Sequence, residues 1–361
     1  MKFGLITTNL RGGGAEKAML KLSALLAGRG HETHLLILEH RVEHDLPPGI
    51  TFTALTRPGR TASKGMLGKY LLAWRLRLCV NKLAGDTPFD LIVSTLPFAD
   101  EISRLARLPK LWHRIANTLS AEIGRLSATS PTKAARRLKK YRQLYAQGQL
   151  LAVSDGVADD LRELGIATRR VECLYNPFDA NAIQTAAKAP TPLPETPYVV
   201  HVGRFSAQKR HDLLFEAFRQ LPDSHALVLL CHDDPALRAM IAHHGLAERV
   251  IVAGFQPNPY PWIAAADLLV LCSDHEGMPN VLIEALLLGT PVVSTDCPSG
   301  PREVLQNGRC GRLVPCNNAA ALRDAMRETL SGKDDIAPFD PSPFLPGTAI
   351  SHLERLAQET C

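Results

Sequence analysis

The chain has no run of the roughly 18 apolar residues needed to span a bilayer. Its opening residues, MKFGLITTNLRGGG, turn to glycine too soon for a signal peptide, so the expectation is a cytoplasmic protein. Eight cysteines occur without one Cys-x-x-Cys pair, and Cys79, Cys231 and Cys272 sit among apolar neighbours, as reduced, space-filling side chains would. Cys297, Cys310 and Cys316 match no common zinc-ligand spacing. His31, His34, His40 and His44 flank or interrupt the strand-like THLLIL instead of lining one helix face, and they too read as ordinary residues. Aromatics make up 6%, and no recognised binding motif is present, which argues against nucleic acid as a partner. The chain lacks Gly-x-Gly-x-x-Gly and a Walker loop, which speaks against a dinucleotide cofactor and a P-loop site. No Asp-x-Asp motif stands at a plausible place, and no metal or cofactor is expected.

At 361 residues, with 45% hydrophobic residues, the chain fits two domains at about 150 residues each. The net charge of +5 hides a division. Residues 1–178 carry 27 Lys and Arg against 15 Asp and Glu, and the remainder carries 14 against 21.

KFGLITTN reads as a buried strand, the glycines as a loop, AEKAMLKLSALLAGRG as an amphipathic helix and HETHLLIL as the next strand. That order is a βαβ unit, and DLIVST, KLWHRIAN and QLLAVS extend the same parallel sheet. The proline-rich APTPLPETP marks a linker or domain edge. The pattern then restarts with YVVHVG and runs through ALVLLC, VIVAGF, LLVLC and PVVST. Two doubly wound α/β domains are predicted, residues 1–178 and 179–346, facing a cleft, with a final helix within 347–361 packing back toward the first.

Three constellations carry chemistry. Glu276 and Glu284 have seven residues between them, and Glu284 falls in the middle of the apolar stretch VLIEALLL, where an ionised carboxylate is costly unless donors meet it. With Pro279 and Asn280 in a first helical turn, Glu276 lies in the preceding loop and Glu284 on the second turn. A cis-diol such as ribose would supply donors to Glu284; a buried arginine or a neighbouring backbone would serve equally. In GRFSAQKR, Arg204 and Lys209 fall between a strand and a helix, where exposed amides and two cations make a receptor for a diphosphate, or else are solvated charges. In NLRGGGAEK, the glycines let backbone approach a ligand closely.

The order Gly-Gly-Gly-Ala-Glu, then HVGRFSAQKR, then EGMPNVLIEALLLGTPVVST, with AVSDGVADDL, LYNPFD and GRLVP, resembles the retaining family 4 glycosyltransferases of the GT-B fold across nearly the whole chain. The resemblance implies that Arg204 and Lys209 hold the donor diphosphate and stabilise the leaving nucleotide. It implies that Glu284 binds the ribose and Glu276 lies beside the donor sugar, whose hydroxyls meet the backbone of Gly277, Met278 and Pro279. Gly13 and Gly14 would close on the diphosphate. The catalytic set is then Glu276, Arg204 and Lys209, with no metal and no covalent nucleophile. Two departures stand out: Asn117, preceded by His113 and Arg114, occupies the place where many relatives carry a sugar-contacting histidine, and Cys231-His232-Asp233-Asp234 replaces a glycine-rich turn.

Eleven Lys and Arg but one acidic residue fall between Arg104 and Arg142; seven and none fall between Leu46 and Gly85. GMLGKYLLAWRLRLCVNKLAG interleaves Leu, Tyr and Trp with cations, as an interfacial amphipathic helix or a solvated helical face would. The expected function is transfer of a sugar from a nucleotide-sugar donor, with UDP as the expected nucleotide, to a membrane-associated glycolipid or lipid-linked saccharide in surface polysaccharide or lipopolysaccharide assembly. The protein would then sit peripherally on the anionic inner face of the cytoplasmic membrane. The alternatives are a nucleotide-sugar epimerase and a non-catalytic nucleotide-sugar-binding protein of the same fold.

Overall fold

The computed structural model describes residues 1–361 apart from 12, 44, 45, 48, 333–335, 360 and 361, so His44 and the first glycine of the Gly-Gly-Gly run lie outside the described residues. The chain divides into two units, residues 1–177 with 343–361, and residues 178–342. These divisions fall one and four residues ahead of the boundaries expected from sequence. Phe344 accounts for part of the shift: its ring lies 5.0 Å from that of Tyr175, so the chain rejoins the first unit before its last helix begins. The proline-rich stretch is not the divide. The helix Ala180–Ala186 ahead of it already belongs to the second unit, where Asn258 Nδ2 donates to the Ala186 carbonyl at 2.8 Å and Gln184 Nε2 to that of Leu287 at 3.3 Å.

In the first unit the strands are β1 (Lys2–Thr7), β2 (Glu32–Ile37), β3 (Phe52–Ala54), β4 (Leu91–Thr95), β5 (Leu111–Ile115), β6 (Gln149–Ala152) and β7 (Arg170–Cys173). They form one parallel sheet in the order β3-β2-β1-β4-β5-β6-β7. β1 and β4 are buried at every position, as parallel strands covered on both faces must be. β3 and β7, which the sequence pattern does not announce, are short, partly exposed edge strands.

Helix α1 (Gly14–Gly28) covers one face through Met19, Leu22 and Leu26, while α2 (Met66–Ala84) and α3 (Pro97–Leu105) cover the other through Leu72, Leu76, Val80 and Ile102. The closing helix, Pro346–Glu359, lies beside α1 and inserts Ile350, Leu353 and Leu356 among Phe3, Leu5, Met19 and Trp112. Its polar edge is tied to the same unit by His31 Nε2 to Glu354 at 2.7 Å and Arg170 to Glu359 at 2.8 Å.

The second unit has β8 (Tyr198–Val202), β9 (Ala226–Leu230), β10 (Val250–Val252), β11 (Leu268–Leu271), β12 (Val292–Thr295) and β13 (Arg312–Val314), all parallel, in the order β10-β9-β8-β11-β12-β13. Cys231 and Cys272 fill its core, as their apolar neighbours foretold. Cys297 and Cys310 are buried too, and among the described residues no three His, Cys, Asp or Glu side chains are placed to hold a metal.

Two histidines are also packed into this core. His201 on β8 bonds through Nδ1 to the Val270 carbonyl at 2.9 Å, and the ring of His211 stands edge-on to it at 4.8 Å. Burial, the adjacent histidine and Lys209 hold His201 well below its ordinary value. Burial and then the Lys209 charge push His211 down to about 4, against a smaller opposing effect of Asp212. Both rings are therefore neutral at physiological pH.

Two outcomes follow from this packing. Leu353→Ala removes a fully buried side chain and should destabilise the first unit by about 2–5 kcal/mol. Hydrogen exchange should speed up in β1, β4 and β5 and stay unchanged in β8, β9 and β11; equal acceleration in both sheets would refute the assignment of the helix to the first unit. For His211, the unfolded chain takes up a proton near 6.5 and the native chain only near 4, so stability is full above about 6.5 and falls through that window on acidification, by about 3 kcal/mol. Urea midpoints recorded from pH 7.5 to 4.5 should fall less steeply in His211→Phe than in the wild type.

Candidate functional site

In an open parallel sheet, ligands sit beyond the carboxyl ends of the strands where the strand order reverses. In the second unit that point lies between β8 and β11, so the loops leaving those two strands are neighbours. The loop after β8 contains a short 3-10 turn, Ala207–Lys209, and the loop after β11 runs into the helix Asn280–Leu288. They meet in an ion pair: Lys209 Nζ lies 2.6 Å from Glu276 Oε1, and Ser273 Oγ donates to the same oxygen at 2.6 Å. Glu276 is buried, and its backbone N–H donates to the Pro298 carbonyl at 3.2 Å. Arg204 stands exposed in the first of these loops, its guanidinium without a hydrogen bond or ion pair among the described residues.

Several residues that sequence reasoning passed over hold the loops together. Asp274 N–H donates to the Gln208 carbonyl at 2.9 Å, and Gln208 Nε2 returns to the His275 carbonyl at 2.8 Å. Arg210, at φ 49°, adopts a left-handed backbone unusual for a side chain of its size. Its guanidinium spans Asp212 at 2.8 Å and Asp274 at 2.8 Å and also reaches Asn317. Bonds to these carboxylates, Asp212 foremost, raise its pKa above the ordinary arginine range. The available signal was a second cation directly after Lys209, in QKR, with carboxylates two residues on and one strand away. Gly203 leaves room for all this, since a Cβ there would lie 3.2 Å from the Lys209 stem.

Gly277, Met278 and Pro279 are buried and lead into the helix, Pro279 standing just ahead of Asn280. Gly300 passes over them at φ +94°, and a Cβ there would fall 2.3 Å from Pro279 Cδ. Glu284 lies on the second helical turn, as the proline and asparagine imply, and is half-buried. Tyr260 OH stands 3.5 Å from its Oε1, and burial together with this carboxylate raises the Tyr260 pKa. A contact that long is weak.

In the first unit the sheet reverses between β1 and β4. Gly13 caps α1 and Gly14 begins it; a Cβ on Gly13 would collide with the Glu16 carboxylate, while Gly14 faces open space. His113, expected on the sugar side, is instead enclosed: its Nδ1 lies 2.7 Å from Ser94 Oγ, which donates to Asp100 at 2.5 Å, and Tyr145 OH donates to Asp100 at 2.8 Å. The alternation of β5 explains the difference, because it turns His113 toward α3 and the helix Pro131–Tyr145. Arg114, its neighbour, is fully buried, and desolvation pushes it down to about 10. It donates from Nη2 to Asn176 Oδ1, while its Nε and Nη1 groups meet no acceptor among the described residues. Asn117 is exposed, and its Oδ1 accepts the Thr118 N–H at 2.9 Å.

Comparison with known proteins places this geometry. Residues 12–182 match the model of glycosyltransferase family 4, and residues 196–332 match that of glycosyl transferases group 1. The N-acetylgalactosamine-N,N'-diacetylbacillosaminyl-diphospho-undecaprenol 4-alpha-N-acetylgalactosaminyltransferase of Campylobacter jejuni is 27% identical over 91% of this chain and 90% of its own length. The lipopolysaccharide 1,6-galactosyltransferase of Salmonella typhimurium is 30% identical over 45% of this chain and 47% of its own. Among solved structures, Anabaena HepE in complex with UDP superposes with a TM-score of 0.77 at 20% identity, covering 99% of this chain and 100% of that one. The lipopolysaccharide outer core galactosyltransferase WaaB in its apo form gives 0.70 at 19%, covering 100% of each. With the two family models matching in succession, and two parallel-sheet α/β units of the GT-B kind, the chain belongs to the family 4 glycosyltransferases.

Proposed function

We propose that this protein is a retaining glycosyltransferase that moves a sugar from a UDP-sugar, without a metal ion, onto a lipid-linked saccharide or lipopolysaccharide acceptor at the membrane surface. The observation that carries the reading is the Lys209–Glu276 pair at the β8/β11 reversal, with the free guanidinium of Arg204 in the same loop. A diphosphate arriving there finds two cations and competes with Glu276 for Lys209. Once Lys209 turns to the phosphate, Glu276 is left beside the donor sugar, where it can accept hydroxyl hydrogen bonds and face positive charge developing at the anomeric carbon. The bond from that carbon to the departing phosphate oxygen breaks. A bond from the acceptor hydroxyl oxygen forms on the same face, and the hydroxyl proton passes to the departing phosphate. Arg204 and Lys209 neutralise the charge that grows on UDP. The acceptor class and the setting in surface-glycan assembly are supported by what the Campylobacter and Salmonella relatives are named for.

UDP at about 100 times its dissociation constant should stabilise the chain by about 2.7 kcal/mol, read as a rise of a few degrees in the thermal midpoint. Glu284→Ala should remove most of that rise; protection by CMP or ADP but not UDP would overturn the nucleotide assignment. Lys209→Met and Arg204→Met should each lower kcat on the order of 10² to 10³ while hydrogen exchange in the second unit stays as in the wild type. Activity should survive a chelator, and the product should keep the donor's anomeric configuration by NMR. Inversion would end the retaining mechanism, and interconversion of UDP-sugars with no acceptor would favour an epimerase.

A further inference from the structure

α2 is apolar on two sides. Leu72, Ala73, Leu76 and Val80 are buried against the first sheet, while Met66, Leu67, Tyr70, Leu71, Trp74 and Leu78 face outward at helical spacing. These six make up most of the exposed large hydrophobic residues among the described ones, and Leu67 is 88% and Trp74 59% exposed. Singly exposed apolar side chains are normal, but a continuous stripe of them marks an interaction surface. The helix is long enough to suggest a span, yet it carries Lys69, Arg75, Arg77 and Lys82, and no helix among the described residues is long and apolar enough to cross a membrane.

Beside the stripe, between α2 and the segment after β3, lies a cavity of about 630 Å³. Its lining includes Arg57, Arg60 and Arg75 together with Thr61, Ser63 and Leu71, and Leu71 also belongs to the stripe. The three guanidinium groups form no ion pair or hydrogen bond among the described residues, in a chain whose other arginines are mostly paired. From residue 46 to residue 85 no carboxylate is available to them.

The segment that carries two of them is anchored. Arg60 N–H donates to the Arg57 carbonyl at 3.1 Å across a turn in which Gly59 has φ +74°. Thr56 Oγ1 accepts the His40 N–H at 3.0 Å and donates to the Arg60 carbonyl at 3.1 Å. The buried Glu39 takes the Ala62 N–H at 3.0 Å, so its charge is used below the cavity. Gly68 lets this segment lie against the helix, since a Cβ there would fall 2.4 Å from Ser63.

We propose that this cavity holds the phosphate-bearing head of a membrane-borne lipid acceptor, with the α2 stripe seated in the bilayer interface beside it. Three unpaired guanidinium groups with two hydroxyls suit a phosphate or diphosphate, which guanidinium binds in a bidentate manner. The adjoining apolar face suits the hydrocarbon chain of the same molecule. An amphiphile with a diphosphate head satisfies both surfaces at once, and the occupant is assigned as a polyprenyl diphosphate. The inference rests on the lipid-linked acceptor reading above and adds a place for the acceptor's anionic head.

The full chain is sedimented with neutral phosphatidylcholine vesicles, with the same vesicles containing polyprenyl diphosphate, and with vesicles whose charge is matched by phosphatidylglycerol. Recruitment should be strongest to the polyprenyl diphosphate vesicles, and soluble inorganic pyrophosphate should release it. At about fivefold per basic residue near a charged surface, Arg57→Gln/Arg60→Gln/Arg75→Gln should lose on the order of a hundredfold of that recruitment. Leu67→Ser/Trp74→Ser should weaken binding to every vesicle type. Equal recruitment by charge-matched phosphatidylglycerol would overturn the proposal in favour of a general basic surface, and absence of recruitment by any vesicle would overturn it outright. UDP protection, measured on the same preparations, reports the donor site independently: if it persists while recruitment fails, the acceptor cavity is wrong and the transferase reading stands. If UDP protection is absent while recruitment holds, the reverse is true.

Discussion

The contact between Lys209 and Glu276 depends on a reversal of strand order. Because β8 and β11 are adjacent and parallel, though separated by two strands in sequence, their outgoing loops leave from the same edge. A lysine from one and a glutamate from the other can then meet at 2.6 Å. Such a pair out of water is not cheap. Desolvating both groups can offset their mutual attraction, and a buried ion pair is by itself weak evidence of stability. The surroundings bear on that cost: Ser273 shares the carboxylate oxygen, Arg210 clamps Asp274 and Asp212, and the histidines beneath stay neutral instead of adding positive charge.

The same logic separates the useful charges from the structural ones. Arg210 is saturated by carboxylates and has little left for a ligand. Arg204 and the three arginines of the α2 cavity are the opposite case, their guanidinium groups meeting no acceptor among the described residues. His113 and Asp100 form a closed set with Ser94 and Tyr145, and their chemistry is spent on the fold. Counting which polar groups already have partners distinguishes these cases better than residue type does.

Much of this was legible in the chain. The buried runs KFGLIT, LIVST and VVST read as parallel strands because both faces of such a sheet are covered. Pro279 and Asn280 announced the helix that carries Glu284. β3, β7 and β13 were not announced, since three or four half-exposed residues carry no period and pair only because a neighbouring strand offers its edge. The enclosure of His113 was not legible because alternation fixes which way a strand residue faces only once the sheet's covering helices are known. The α2 cavity was beyond reach, as it depends on loop geometry that no spacing reports, and for Arg210 the chain offered only the local signal of QKR with Asp212, not the pairing with Asp274 from a distant segment. The double apolar character of α2 was visible as interleaved Leu, Trp and Arg, but not which side would be covered.

The helix Pro346–Glu359 sits in the core of a unit that begins at residue 1. A ribosome therefore releases the whole of residues 178–342 before the first sheet can be sealed. The later unit is local in sequence and can complete its core first, while α1 and β1 wait with an open apolar face. The amino-terminal unit can thus complete its core only after the last helix has been made. A chain cut short near its end would carry an intact second unit beside an exposed hydrophobic groove, the form that chaperones and proteases recognise.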